Sequence, residues 1–583
     1  MAKYPWLKLG KKTDPELPVE PPVWFGNRSN GEYYHEQTPR EAQMREEILR
    51  RADAQARRHG MDRRAFLAST MGMAVTMAVV NEMGCESSSS SDQPSRTGGG
   101  GDSGPPAPAC SGGFPQPSGP YVVPPKATCD PSDYLSTSDY FIFDVQTHCF
   151  DDGEWRTNGV TYPQYLNYIA GFATQWCAPT SVANRLDCYD PHHYAELMFV
   201  DSDTTMTVIT SWPAAQCFPE RRLLGNAALA CGLPLSNASM RNLRDWINAR
   251  AMSQRCINQV QVMPNDFIEH QIEGMYAAAA DPSWKCGSWK AYPAWTSDTF
   301  VSKSGLAQGY FLTDPIGRAF IEAGLKLGVP NFAIHKGLPI PGFDVLHNEP
   351  TDIGPVAIDY PDANFVIYHS AINAGTGGTG LSALQPTPTE KGPYDAKDPK
   401  PLGVNMLIRS LIDNGVIHDP DNPNTSKKLP ARLNVYAEMG SAWSQVMTDT
   451  NQAQHYIGKL LKYLGPDNIL WGTDCILTGT PQPQIEMFKS FTITAEYQDK
   501  YGYPALTDDI KRKIFGLNAA ALYHVDPTAA RCKVSQSSFA MMKRELDEGL
   551  GARRWTQKGP LGPRDAEEFL THARLQRTKR APG

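Results

Sequence analysis

From residue 140 onward the chain repeats one pattern, a short apolar run followed by an amphipathic stretch. This alternation limits the fold more than any other feature. Strand-like runs fall at 140–145, 205–210, 257–263, 289–292, 331–335, 365–369, 433–438 and 469–473. Helical patterns at 193–199, 240–254, 315–327, 404–414 and 452–464 lie between them. Short buried strands alternating with amphipathic helices build right-handed βαβ units around a parallel sheet. The pattern predicts an α/β fold of the (β/α)8 TIM type, a distorted barrel with long loops over its active-site face. An open doubly wound sheet is the alternative, but no Gly-x-Gly-x-x-Gly follows the first strand.

The barrel is expected over 139–530, with a charged extension over 531–583. Before it lie an extended N-terminal region (1–84) and a Gly/Ser/Pro-rich linker (85–125), too polar to bury a core. Arg63-Arg64-Ala65-Phe66-Leu67 opens an apolar run to residue 80, too short to span a bilayer comfortably. Paired arginines before such a run resemble a twin-arginine export signal. That predicts the export machinery as a partner and a periplasmic or envelope location. Met83-Gly84-Cys85 before the tether resembles a lipoprotein processing site, with Cys85 as the acylated membrane anchor, although Glu82 stands where such sites prefer a small or aliphatic residue. The twelve cysteines contain no Cys-x-x-Cys pair, which argues against a thiolate zinc site and suits an oxidising compartment. A net charge of −7 without a long basic stripe argues against nucleic acid as a partner.

In such a barrel the chemistry sits at the carboxyl ends of the strands. The first expected strand ends in Asp144-Val145-Gln146-Thr147-His148, the fifth in His335-Lys336, and the sixth in His369-Ser370. Glu438 ends the seventh, and Gly472-Thr473-Asp474 the eighth. Neutral imidazoles with a carboxylate suit zinc or manganese, and an open position on the ion holds water or a substrate oxygen.

That order of histidines followed by Gly-Thr-Asp resembles the amidohydrolase superfamily. It is most similar to the amidohydrolase-related branch that includes aminocarboxymuconate-semialdehyde decarboxylase. Three further stretches carry the resemblance: Asp359-Tyr360-Pro361-Asp362-Ala363-Asn364 before the sixth strand, Leu464-Gly465-Pro466-Asp467-Asn468 before the eighth, and Gly516-Leu517-Asn518-Ala519 near the end of the domain. The resemblance implies one divalent metal ion, zinc ahead of manganese, on His148, His335 and Asp474. His369 is then a ligand or the proton shuttle, and Glu438 a neighbour that fixes an imidazole, with a surface or loop-pairing carboxylate as its other reading. The branch carries His-x-His or Glu-x-His where this chain has Gln146-x-His148. The site then tolerates one weak ligand, binds its ion loosely, or has lost it.

Lys336 is expected to alternate away from His335 and, with Lys290, to lie on the surface. Lys290 has the further option of facing the site as the charge partner of an acidic substrate. Long segments at 149–192 and 371–403 are expected to cover the barrel mouth, with Trp155, Tyr162, Trp176 and Trp212 as candidate pocket walls. A helical pattern at 539–549 either packs on the barrel or pairs with a second subunit. Function is therefore expected to be metal-dependent hydrolysis of a small, acidic or cyclic organic substrate. Non-oxidative decarboxylation is the near alternative, and a non-catalytic exported binding lipoprotein the more distant one.

Overall fold

A computed structural model describes residues 28–29, 34–35, 39–58, 60–67, 75–76, 79, 140–150, 188–214, 233–296, 309–338, 343–376, 384–386, 388–422, 429–531 and 537–549. Cys85, the linker 85–125, Trp155, Tyr162 and Trp176 lie outside these residues. The chain divides into two units, residues 1–108 and 109–583. In the first, helix Pro39–Arg58 is followed by the short helix Arg63–Leu67. Ile48, Ala52 and Ala56, spaced one helical turn apart, pack with Phe66, Leu67 and Val79. Arg63 stays exposed. Among the described residues no helix is long and apolar enough to cross a membrane.

The second unit is a barrel of eight parallel strands that neighbour one another in chain order. They are β1 (Phe143–His148), β2 (Met206–Thr210), β3 (Cys256–Gln261), β4 (Ser288–Ala291), β5 (Asn331–His335), β6 (Asn364–Tyr368), β7 (Val435–Glu438) and β8 (Ile469–Leu470). Backbone bonds from Val145 N to Trp471 O (3.0 Å) and from Asp474 N to Gln146 O (2.9 Å) close β8 onto β1. The sheet is closed, so the open alternative is excluded. β1 begins three residues later than the hydrophobic run suggests, which places Gln146 and His148 inside the strand. A register irregularity against β2 between Asp144 and Thr147 adjusts where they point.

Side chains alternate across each strand, and register partners share a face. Phe143, Met206, Val208, Ile257, Ala333, Val366, Tyr368 and Leu470 fill the inside, joined by Ala519, Ala520 and Leu522 of helix Asn518–Tyr523. Helices α1 (Asn237–Ala251), α2 (Ile268–Ala280), α3 (Pro315–Lys326), α4 (Ile353–Asp359), α5 (Val404–Asp413) and α6 (Thr450–Tyr463) follow successive strands on the outside. Tyr368 spans the interior: its hydroxyl donates to Val145 O (2.8 Å) and accepts from Gln259 Nε2 (2.7 Å). Helix Ser538–Gly549 packs on the barrel, where Phe539 stacks on Phe199 and Lys543 donates to the carbonyls of Val200 and Ser202.

On α6, His455 pairs with the Tyr503 hydroxyl (2.8 Å) and lies against Tyr497 and Tyr501. Burial, with Lys459 and Lys500 nearby, pushes its imidazole down to about 4. A depressed histidine favours the native state only while neutral. Its contribution is complete above an unfolded value of about 6.5 and falls away as the pH drops toward 4. His455→Phe should therefore show less loss of stability between pH 7 and pH 4.5 than the parent in urea unfolding. Equal slopes would refute this.

Candidate active site

Five of the expected residues meet at the carboxyl end of the barrel as a continuous chain of contacts. His148 Nε2 donates to Asp474 Oδ1 (2.9 Å), and Gln146 Nε2 donates to the same oxygen (2.9 Å). Gln146 Nε2 also lies 3.4 Å from His369 Nε2, which in turn faces His335 Nδ1 at 3.2 Å. All five are buried. Gly440 and Gly472 are glycines because a Cβ on either would run into Gln146 or Glu438. His369 and Asp474 both adopt left-handed backbone (φ 62° each), a conformation uncommon away from glycine and frequent at functional sites.

Partners fix the protons. His369 Nδ1 lies 2.7 Å from Gly440 O, and His335 Nε2 lies 3.2 Å from Leu338 O. A carbonyl only accepts, so each ring carries its proton there. Burial pushes His369 down to about 4, and it also drives His335 well below the usual histidine range, helped by His369 and Lys290. Both rings are therefore neutral near pH 7. Their remaining nitrogens, His369 Nε2 and His335 Nδ1, then point lone pair at lone pair across 3.2 Å. Two facing lone pairs repel unless a proton or a cation lies between them.

Asp474 is beside them and stays ionised. Burial opposes its charge, but the bond and charge of His148, with Ser441, hold it below the usual carboxylate range. Two imidazole lone pairs next to a carboxylate oxygen match a zinc-type ion by donor chemistry. Among the described residues, however, no three His, Cys, Asp or Glu side chains surround one point as a metal's ligands would. The donor atoms run in a chain with the Gln146 amide in its middle, so admitting an ion requires that amide to turn aside.

Glu438 is buried rather than at the surface. Its oxygens accept from His369 N (2.9 Å) and Gly440 N (2.5 Å), so it fixes the backbone that carries His369 and not an imidazole. Burial pushes its carboxyl well up. Both lysines expected on the surface are also buried. Lys336 points away from His335, as alternation requires, but into Asp352 Oδ2 and His347 O (2.9 Å each). Lys290 faces the interior over the rings of Tyr368 (3.4 Å) and Tyr292 (4.4 Å). Trp212 does line the site, its ring 5.6 Å from that of His148.

Three contributors escaped the sequence reading. Ser441 donates to Asp474 Oδ2 (2.5 Å), and the Gly440 carbonyl sets the His369 tautomer. Asp144 ties β1 to β8 through the Thr473 hydroxyl and amide, and burial pushes its carboxyl up to about 7. Asp144 stood in the first strand's motif, and its even spacing from Gln146 and His148 was the available signal. Ser441 and Gly440 follow Glu438 but carry no pattern of their own.

Comparison with known proteins adds a local match and several distant likenesses. No curated protein matches the chain. Among solved structures, the IDCase of Metarhizium anisopliae is 13% identical with a TM-score of 0.35, over 67% of this chain and 98% of that one. A putative 2-pyrone-4,6-dicarboxylic acid hydrolase from Pseudomonas putida is 12% identical with a TM-score of 0.33, over 66% and 98%. A Burkholderia multivorans amidohydrolase with bound zinc is 10% identical with a TM-score of 0.33, over 66% and 100%. The barrel rests on the strand registers above and not on these likenesses. Residues 416–525, which include β7, β8, Glu438 and Asp474, match the family model described as Amidohydrolase.

Proposed function

We propose that the chain is a metal-dependent hydrolase of the amidohydrolase-related kind, acting on a small organic substrate. The opposed lone pairs of His335 and His369 beside ionised Asp474 carry this reading. His335 and Asp474 would hold one divalent ion, zinc ahead of manganese, His148 would join by giving up its bond to Asp474, and His369 would be either a further ligand or the proton shuttle. Such an ion lowers the pKa of bound water and polarises a carbonyl. The chain's own residues supply the rest. As the shuttle and not a ligand, His369, neutral and oriented by Gly440 O, can take or return a proton at Nε2. Ser441 holds the Asp474 carboxylate, and buried Glu438 locks the turn that carries His369. Decarboxylation is the second reading: the same imidazole, after taking a proton at Nε2, can pass it to carbon.

Metal analysis of the purified protein tests the proposal. About one ion per chain is expected, falling severalfold in His335→Ala and in Asp474→Asn. Near-zero metal in the parent sinks the metal-dependent reading, and full occupancy in His335→Ala sinks the ligand assignment.

Export by a twin-arginine route, with Cys85 as a lipid anchor, accompanies this reading. A disulfide at Cys188 supports an oxidising destination. Burial of Phe66 and Leu67 against helix Pro39–Arg58 makes the long extension part of the element that presents the arginines.

A further inference from the structure

Buried ammonium groups in this barrel are satisfied almost everywhere. Lys459 reaches Glu390 (2.9 Å) and Asn405 (2.8 Å), Lys336 reaches Asp352 and His347 O, and Lys543 reaches two carbonyls. Lys290 Nζ is fully buried and has no hydrogen-bond partner among the described residues. Its contacts are the faces of Tyr368 and Tyr292, which replace little of an ammonium's lost hydration. A side chain this costly to bury needs a reason outside the fold.

Its surroundings hold further unsatisfied polar atoms, most of them donors. Thr210 ends β2 as the register partner of His148, and Gln261 ends β3 as the partner of Lys290. They therefore share the interior wall with Lys290, and Ala333, the β5 partner of Lys290, lies on that face two residues before His335. Thr210 Oγ1, Trp212 Nε1 and Gln261 Oε1 are buried without a hydrogen-bond partner among the described residues. The segment that carries Trp212 is pinned in place: Gln261 Nε2 donates to Trp212 O (2.9 Å), and the Tyr292 hydroxyl donates to Ser211 O (2.6 Å). Ammonium, indole N–H and hydroxyl are thus donors, held at the ends of β2 and β4 on either side of β3 and lacking acceptors among the described residues.

We propose that Lys290, with Thr210 and Trp212, is the seat for a carboxylate of the substrate, beside the imidazole cluster. The assignment rests on the hydrolase reading above and deepens it to substrates that are small organic acids. An ionised carboxylate accepts from all three donors and supplies the countercharge that Lys290 lacks. Desolvation lowers the affinity of the empty Lys290 for its proton, and the neighbouring charges of Glu438 and Asp474 offset this only in part. A docked carboxylate adds to that offset, whereas an amide of the same shape does not. Trp212 and Tyr292 flank the seat, so the carboxylate is expected on a flat ring or unsaturated chain.

Thermal shift and calorimetry on the full-length protein test this, with benzoate, 2-furoate and nicotinate each compared with the corresponding amide. The parent should bind at least one acid and ignore its amide. Lys290→Met should melt at an equal or higher temperature, because it removes an unpaired buried charge, and should bind the acid about 10-fold more weakly or worse. Thr210→Val should weaken binding severalfold and leave the melting temperature near that of the parent. Binding of none of the acids, acid and amide bound alike, or Lys290→Met with affinity intact would overturn the seat. So would a lower melting temperature with unchanged affinity, which marks a structural lysine satisfied by buried water alone. Metal content is read on the same samples. Absent metal with Lys290-dependent acid binding overturns the hydrolase reading but keeps the seat. Full metal with no effect of Lys290 overturns the seat alone.

Discussion

Lys336→Met should lower the unfolding free energy by about 3–5 kcal/mol, the usual cost of stranding one half of a buried ion pair. Lys336 and Asp352 are both buried, 2.9 Å apart, and the same carboxylate oxygen accepts from Leu312 N (2.7 Å). The lysine also holds His347 O, so it ties the residue after His335 to the segment that covers the end of β5. Removing it leaves Asp352 ionised in an apolar setting with a single backbone donor. The double variant Lys336→Met/Asp352→Leu should recover most of the loss, because the charge left behind, and not the absence of attraction, dominates the penalty. Urea unfolding of the three proteins decides the matter. A single variant within about 1 kcal/mol of the parent would show that the pair is dispensable. Lys290→Met, at a buried lysine without a carboxylate partner, is not expected to lower stability. The two substitutions are chemically identical and differ only in what the ammonium touches.

Gly472→Ala should damage the barrel as severely, by about 3 kcal/mol or more, and should disorganise the His369 turn. A Cβ at 472 would fall on Glu438 Oε1 and lie 3.3 Å from the Gln146 Cβ. Neither neighbour can retreat. Glu438 is held by two backbone amides, and Gln146 sits in the seam where β1 and β8 close the barrel. Gly274→Ala is the control: nothing lies within 4 Å of a Cβ there, and the site is inside helix α2. That change should be neutral or stabilise by up to about 1 kcal/mol. If Gly472→Ala unfolds at the same urea concentration as the control, the seam is more yielding than its contacts indicate.

Strand order and the strand-end residues were readable in advance because they are local properties. Within Asn331–His335 the three central residues Phe332-Ala333-Ile334 are all apolar, so burial on both faces follows from composition, and the strand's end is marked by His335 and Lys336. The first strand was less readable. Tyr140-Phe141-Ile142 reads as strand, yet pairing with β2 starts at Phe143, because register and the irregularity at 144–147 are settled by the neighbouring strand. The same limit applies to Glu438, whose partners are backbone amides that no side-chain pattern reveals.

Local chemistry thus pointed to the barrel, to the histidines, Gln146 and Asp474 at its carboxyl end, and to Gln146 as a difference from the pattern of the branch the chain resembles. Packing decided which nitrogen of each imidazole carries the proton, since that choice belongs to the carbonyls of Gly440 and Leu338. It also decided that two lysines next to strand ends are buried, one paired with a carboxylate sixteen residues away and one left with aromatic faces alone. A charge's cost or benefit depends on the dielectric and the partners around it, and those exist only once distant segments meet.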